Sequence, residues 1–353
     1  MQLDPASLPV DVPAFIRAGL HAAIAAGEAA WGTTSPNPPV GAAIITATGE
    51  VIATGHTQAV GGDHAEIQAL KAAGAAARGQ YMVVTLEPCN HTGRTGPCSH
   101  AIAAAGIQGV FYCQRDPGKA EGGGAVWLAQ RGIQATCINL PVAALEPWLF
   151  AFDHQRPFVI AKTAHTLDGR IAAADGSSQW ITGPQARQHA HTVRAHADAI
   201  LVGTGTVFAD NPRLTARTPA GREYEHQPQP VVIGSSVIPA GYHLFGAPQY
   251  GSLAAAMDAL FDQGARTVLL EGGAGLLSSA LQASVVQQLH AYIAPAILGS
   301  GLGAYRGFEA PTMAAIRRLI PQATIDLPPD ICRILALPLS RASSRASSSA
   351  AQR

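Results

Sequence analysis

The sequence lacks a charge bias: 23 Lys and Arg stand against 23 Asp and Glu in 353 residues, for a formal net charge of zero. That balance argues against the basic footprint of a nucleic-acid binder and favours a small-molecule substrate. The first twenty residues carry Pro5, Pro9 and Pro13 and no charged leader followed by an apolar run, so no signal peptide is expected. No stretch is long and apolar enough to predict a membrane span. Cysteine is sparse, five in all, and two of the five are framed by Pro, Gly and His. This usage speaks against a disulfide framework and for a reduced compartment and a metal site. The expectation is a soluble cytoplasmic protein with neither nucleic acid nor membrane as partner.

The length exceeds that of one ordinary compact domain and divides naturally into two of roughly 150 residues each. Apolar strands alternate with Ala-rich helical stretches, which predicts an α/β fold in both halves. In the first half a helix over residues 14–31 precedes strands at 40–46 and 50–55, a helix at 64–73, a strand at 81–86, a helix at 98–105 and a strand at 110–113. A proline-punctuated segment, 140–157, closes this half, and a strand at 158–163 opens the next. The domains are therefore placed at 1–150 and 151–339, with the boundary near residue 150. The Ala/Ser/Arg tail over 340–353 is expected to be disordered.

The strongest signal is His64-Ala65-Glu66 together with Pro88-Cys89 and Pro97-Cys98. A histidine and two cysteines can hold zinc tetrahedrally and leave its fourth position to water, as a hydrolytic site requires. Zinc brings the pKa of that water toward neutrality. A carboxylate that is not a ligand must then carry protons between the water, a ring nitrogen and departing ammonia, and Glu66 stands where that group is needed. Taken singly, a buried cysteine is usually a small core residue and a histidine a satisfied polar one. In combination, His-x-Glu followed by Pro-Cys and a second cysteine is the pattern of the zinc deaminases. His64 and Cys98 are expected at the starts of two helices, where free N–H groups favour a thiolate. Cys113 and Cys137, in or beside apolar runs, read as core.

Residues 85–98, Thr-Leu-Glu-Pro-Cys-Asn-His-Thr-Gly-Arg-Thr-Gly-Pro-Cys, resemble the bifunctional riboflavin-biosynthesis deaminase/reductase family. Cys89 and Cys98 are nine positions apart, where general nucleoside deaminases usually place their pair about three apart. The resemblance implies a cytidine-deaminase-like first domain, acting on a pyrimidine that carries a ribosylamino phosphate. It also implies His91 and Arg94 as substrate contacts from the insert, Asn37 from Ser35-Pro36-Asn37-Pro38-Pro39-Val40-Gly41, and His56. The second half is similar to the family's dihydrofolate-reductase-like domain at residues 162–172, at Trp180-Ile181-Thr182-Gly183 and at 199–215. There the resemblance implies that Lys162, Ser178, Arg194, Leu214, Arg217 and Glu271 meet substrate, and that Ala164, Trp180, Thr206 and Asp210 meet NADPH. The glycine-rich turn after residues 267–270, with Gly273 and Gly275, reads as a phosphate cradle at a helix start. It is not a dinucleotide fingerprint, because the Gly-x-Gly-x-x-Gly order is absent. A homo-oligomer is implied as well.

The implied reduction delivers hydride from NADPH to the anomeric carbon of the sugar and opens its ring, with Lys162, Asp210 and Glu271 as the polar groups nearest the reacting carbon. Three departures from the family pattern fall outside the zinc set. Gly234 replaces a frequent acidic residue, Asp116-Pro117-Gly118-Lys119 replaces Asp-Pro-Asn-Pro, and His165 replaces a small residue. The stretch between residues 233 and 267 is short for the family and is expected to lack a strand–helix unit. Four readings stay open at this point: the bifunctional enzyme, a deaminase with an inactive reductase-like half, a non-catalytic zinc-binding interaction module, and a polynucleotide deaminase. Glu66 counts against the module, and the neutral charge and long insert count against the polynucleotide enzyme.

Overall fold

The computed structural model describes residues 12–92, 96–118 and 122–338. Arg94 and the tail over 340–353 lie outside the described residues. The chain divides into two compact units between Arg156 and Pro157. Among the described residues no helix is long and apolar enough to cross a membrane.

The first unit runs α1 (Arg17–Ala30), β1 (Gly41–Ile45), β2 (Val51–His56), α2 (Ala65–Ala73), β3 (Tyr81–Leu86), α3 (Cys98–Ala104), β4 (Gly109–Gln114), α4 (Gly124–Ala129), β5 (Gln134–Cys137) and α5 (Glu146–His154). Its strands form one sheet in the order β2-β1-β3-β4-β5. β1 is antiparallel to both neighbours, and β3, β4 and β5 are parallel. β1 is buried along its whole length, the continuous apolar run of a strand covered on both faces. Leu20, Ala23, Ile24 and Gly27 of α1 are buried at helical spacing and pack into this core. Each large side chain buried this way contributes about 1.5–3 kcal/mol.

Two parts of this unit differ from the sequence reading. α4 and β5 are too short, at six and four residues, to show a period, and they extend the sheet by one strand. The proline-punctuated segment holds α5. Pro147 sits in the first turn of that helix, where a missing N–H costs nothing, so it starts the helix rather than breaking it. Trp148 and Leu149 of α5 pack on the first core, so the division falls after Arg156 and residue 150 lies inside a helix. Cys113 is buried in that core, and Cys137 is half-buried against it.

The second unit runs β6 (Phe158–Thr166), β7 (Arg170–Ala172), α6 (Pro184–Ala195), β8 (Ala199–Gly203), α7 (Thr204–Asp210), β9 (Gln229–Ile233), β10 (Gln249–Tyr250), α8 (Leu253–Asp262), β11 (Thr267–Leu270), α9 (Ala274–Gln282), β12 (Gln288–Ala294), β13 (Leu302–Gly303), β14 (Ile320–Leu327) and β15 (Asp330–Ala336). Eight strands form a sheet in the order β10-β9-β8-β11-β6-β12-β15-β14, and β13 pairs with β7. The sheet is parallel from β10 to β12 and antiparallel over β12, β15 and β14. β11 is wholly buried, and β8 is buried up to its last residue, as parallel strands covered on both faces should be.

Between β9 and β11 the chain forms β10 and α8, and α8 buries Ala256, Met257 and Leu260. β10 has two residues and so offers no pattern to read. Gly234, where an acidic residue was expected, has φ +132°, and a Cβ there would stand 2.8 Å from Thr204 Oγ1. Only glycine meets both conditions without strain.

Candidate functional site

In the first unit the strand directions gather the predicted residues at one end of the strands, where β1 starts and β2 and β3 finish. Gly41, at the start of β1, lies opposite His56, the last residue of β2, and the Gly41 N–H donates to Thr85 Oγ1 near the end of β3 at 3.0 Å. Asn37 precedes β1 in a turn closed by its own N–H to Thr34 O at 2.9 Å and by Thr34 Oγ1 to Asn37 O at 3.0 Å. His56 Nδ1 lies 3.2 Å from Thr57 O and 3.3 Å from Gln58 Nε2. His91 leaves the same end of β3, and its buried Nδ1 has no hydrogen-bond partner among the described residues.

His64 caps α2 and Cys98 opens α3, so both stand at helix starts as expected. Cys89 comes from the loop after β3. The Cys98 N–H donates to Cys89 Sγ at 3.4 Å, and His64 Nδ1 lies 3.6 Å from Cys89 Sγ and 3.4 Å from Cys98 Sγ. The three donor atoms lie within 4.8 Å of one another, and no other His, Cys, Asp or Glu among the described residues joins them. One imidazole and two sulfurs at this spacing fit zinc and leave its fourth position to a non-protein ligand. Hydrogen bonds from the Cys98 side chain, then from His64 and the Cys98 N–H, hold the Cys89 thiol well below its ordinary range against its burial. The Cys98 thiol keeps the proton the pair shares and is raised by that bond and by burial. The pair thus presents one ready thiolate, and a cation displaces the remaining proton.

Glu66, in the first turn of α2, is buried and stays outside the donor cluster. Burial, with the Cys89 charge next, pushes its carboxyl up to about 7, the range in which a group both takes and gives protons at neutral pH. The sequence reading missed three supporting groups. Asn90 Oδ1 accepts from Ser99 Oγ at 2.8 Å, and Glu87 Oε1 accepts from the Ala125 N–H at 3.2 Å. Gly124, at the start of α4, approaches so close that a Cβ there would lie 1.9 Å from Pro88 O. The glycine run at 122–124 was the available signal.

Two cavities of the second unit hold predicted residues. One of about 510 Å³ is lined by Lys162, Arg194, Leu214, Arg217, Trp180 and Tyr292, among others. Another of about 180 Å³ is lined by Ala164, Thr206, Asp210, Gly273, Glu271 and again Lys162. Lys162 therefore lines both. Arg194 Nε and Nη2 donate to the two oxygens of Glu271 at 2.7 and 2.8 Å, and Lys162 Nζ lies 3.9 Å from Glu271 Oε2. Burial alone would push the Glu271 carboxyl up; the Arg194 and Lys162 charges overcome it and hold it down to about 2. Trp180, exposed and stacked under the Arg187 guanidinium at 4.5 Å, lines the larger cavity and not the smaller. Ser178 and Gly275 line neither. The Gly273 N–H, at the cap of α9, is donated to Thr206 Oγ1 at 3.1 Å. Arg187, His191 and Tyr292 were not singled out from sequence, since each sits in a helical or apolar run without a motif.

A metal-ready His/Cys/Cys centre with its own buried glutamate, joined to a mostly parallel α/β unit with a Lys–Glu–Arg cluster between two cavities, defines a two-domain deaminase/reductase. Residues 16–114 match the cytidine and deoxycytidylate deaminase zinc-binding region, and residues 157–331 match the RibD C-terminal domain. The chain belongs to the RibD family of riboflavin biosynthesis proteins. It is 46% identical over 321 residues to the riboflavin biosynthesis protein RibD of Corynebacterium ammoniagenes, covering 88% of this chain and 95% of the relative. The Escherichia coli protein is 36% identical over 323 residues, covering 78% of this chain and 88% of the relative. Among solved structures, Acinetobacter baumannii RibD superposes with a TM-score of 0.81 at 31% identity, over 91% of this chain and 98% of that one. A diaminohydroxyphosphoribosylaminopyrimidine deaminase/5-amino-6-(5-phosphoribosylamino)uracil reductase from Thermotoga maritima gives 0.81 at 29%, over 90% and 97%. The expected fold pair is thereby met. The chain is a riboflavin-biosynthesis enzyme with a zinc-binding deaminase domain and an NADPH-dependent reductase domain, and the inactive-reductase alternative is not favoured.

Proposed function

We propose that the first unit hydrolytically deaminates 2,5-diamino-6-(5-phosphoribosylamino)pyrimidin-4(3H)-one and that the second reduces the ribosyl group of the product to ribityl. The observation that carries this reading is the buried Glu66, two residues from the histidine of a three-donor metal cluster and outside its donor set. His64, Cys89 and Cys98 hold zinc, which when bound supplies a water acidic enough to attack at neutral pH. Glu66 takes one proton from the attacking water and gives it to the ring nitrogen, then takes the second from the new carbon-bound hydroxyl and passes it to the leaving amine as the carbon–nitrogen bond breaks and ammonia departs. Asn37, His56, His91 and Arg94 orient the pyrimidine and its phosphate.

In the second unit NADPH, when bound, supplies the hydride. Lys162 stands where the two cavities meet, with Glu271 beside it, and faces the sugar oxygen as its bond to the anomeric carbon breaks. Ser178, Arg194, Leu214, Arg217 and Glu271 serve the substrate, with Arg194 acting largely through Glu271. Ala164, Trp180, Thr206, Asp210, Gly273 and Gly275 serve the cofactor. The domains are assigned as deaminase over 1–150, with its closing helix running to residue 154, and reductase up to residue 339. The reactions take place in the cytoplasm on small molecules, without nucleic acid or membrane, in a homo-oligomer. The five free cysteines and zero net charge support the compartment and substrate class, and the exposed Ile320 on the edge strand β14 and Ile331 on its neighbour β15 support the assembly.

A paired assay on zinc-loaded protein tests the reading, with the diaminopyrimidine substrate and NADPH supplied together. Ammonia release with NADPH oxidation is expected. Ammonia alone would restrict the activity to the first unit, and silence in both channels would overturn the reading.

A further inference from the structure

Lys162 ends a flexible four-carbon stem, so an ammonium useful to both cavities has to be held in place. Glu271 Oε2, at 3.9 Å, attracts it from beyond hydrogen-bond length and does not fix its direction. A second contact comes from β12, which runs parallel beside β6 with His290 opposite Lys162 and Tyr292 opposite Ala164. The Tyr292 ring centroid lies 5.8 Å from Lys162 Nζ, within reach of the attraction between a cation and a ring face, and Tyr292 lines the larger cavity.

The ring is itself anchored. Tyr292 is 1% exposed, and its hydroxyl lies 2.7 Å from Nδ1 of His189 on α6. Burial raises the phenol, which keeps its proton, and lowers the His189 imidazole; the two rings share one hydrogen bond, and the phenol also meets the Cys332 side chain. The groups around Lys162 are thus Glu271 after β11, Arg194 and His191 on α6, His290 and Tyr292 on β12 and Cys332 on β15. A single chain of contacts runs His189–Tyr292–Lys162–Glu271–Arg194, and α6 supplies both of its ends.

We propose that Tyr292, anchored by His189, is a positioning residue that holds the Lys162 ammonium at the junction of the two cavities during reduction. The inference rests on the reductase reading above. It assigns a role to two side chains that neither the zinc motif nor the glycine-rich turn touches.

The test is steady-state NADPH oxidation with the deaminated substrate, in the full-length, zinc-loaded enzyme. Tyr292→Leu removes the ring face, and kcat is expected to fall about tenfold, with KM for NADPH and for substrate within about threefold of wild type. Tyr292→Phe and His189→Leu both remove the His189–Tyr292 bond, the first also the phenol's contact with Cys332, and each should lower kcat by about threefold. Because both break the His189–Tyr292 bond, the double variant should lose no more than the costlier single one. His189→Asn, which keeps a polar atom near the Nδ1 position, should recover activity. NADPH affinity and ammonia release in the same preparations report folding, and if Tyr292→Leu fails to fold, the Phe/Leu cycle decides. Wild-type kcat in Tyr292→Leu, or additive losses in the double variant, overturns this inference and leaves the reductase reading standing. An unmodified enzyme that oxidises no NADPH overturns both.

Discussion

Arg194 grips Glu271 at two points, 2.7 and 2.8 Å, and spends a third donor on Thr215 O at 3.0 Å. A guanidinium used this way has its charge matched and most of its fork occupied, so its first task is to keep a buried carboxylate ionised beside Lys162. The pair joins α6 to the end of β11, which ties the wall of the larger cavity to the floor of the smaller.

Truncating Arg194 should therefore be costly. Arg194→Ala leaves the Glu271 carboxylate buried with only Lys162 at 3.9 Å, and a stability loss of about 3–5 kcal/mol is expected in chemical denaturation of the second unit. The double change Arg194→Met with Glu271→Leu should regain most of that stability, because no charge is stranded, yet remain without NADPH oxidation. Recovery of activity along with stability would show that the pair serves only packing.

The same carboxylate sets an acid limit. Its pKa is held at about 2 in the folded chain against an ordinary 4.5, so the group binds its proton more weakly folded than unfolded. Its contribution to stability is then fully present above about pH 4.5 and is lost as pH falls through about 2. The size is about 3 kcal/mol. Denaturation midpoints of wild type and Glu271→Gln between pH 5 and pH 2 check this; the wild type should lose more stability over that range, and equal slopes would reject it.

The zinc set was legible because its chemistry needs fixed residue types at fixed positions: a ligand at a helix cap, a carboxylate two residues on, and thiolates on turns marked by proline. The strands were legible where a run is long and continuously apolar, as in β1 and β11. α5 was missed because Pro147 looks like a breaker until its place in the first helical turn is known. β10 was missed because two residues carry no period. The Tyr292–His189 contact spans 103 positions between an apolar strand and a helix, and nothing local in either segment announces it.

Glu66 gives a sharper test of the first unit. Glu66→Gln keeps the shape of the side chain but cannot take a proton, so ammonia release should fall by about 10²–10⁴-fold. Zinc content should stay at the wild-type level, since Glu66 is outside the donor cluster. Metal analysis and ammonia assays on one preparation separate the two effects; a variant that loses zinc would make Glu66 a ligand and not the proton carrier.

Chelation should divide the two activities. Removing the metal leaves Cys89 and Cys98 sharing a proton, and ammonia release should stop. NADPH oxidation should continue when the deaminated substrate is supplied directly, because no residue lining the second unit's cavities belongs to the zinc set. Loss of both activities on chelation would tie the second unit's reaction to the metal.

Gly124 offers a change remote in sequence from every metal ligand. A Cβ at this position would lie 1.9 Å from Pro88 O, 2.9 Å from Pro88 C and 3.6 Å from Cys89 C, all backbone atoms that no rotamer change can move. The next residue, Ala125, donates its N–H to Glu87 Oε1, so the start of α4 is tied to the segment that presents Cys89. Gly124→Ala must push the Pro88-Cys89 turn away from α4 and shift Cys89 Sγ relative to His64 and Cys98. By analogy with losses of outer supports in metal sites, zinc affinity should fall about 10–100-fold. Ammonia release should fall with it and recover in part at high zinc, while NADPH oxidation on the deaminated substrate stays unchanged. Competition titration against a zinc-binding dye measures the affinity directly, and an unaltered value would mean that α4 yields instead and the turn holding Cys89 is the stiffer partner.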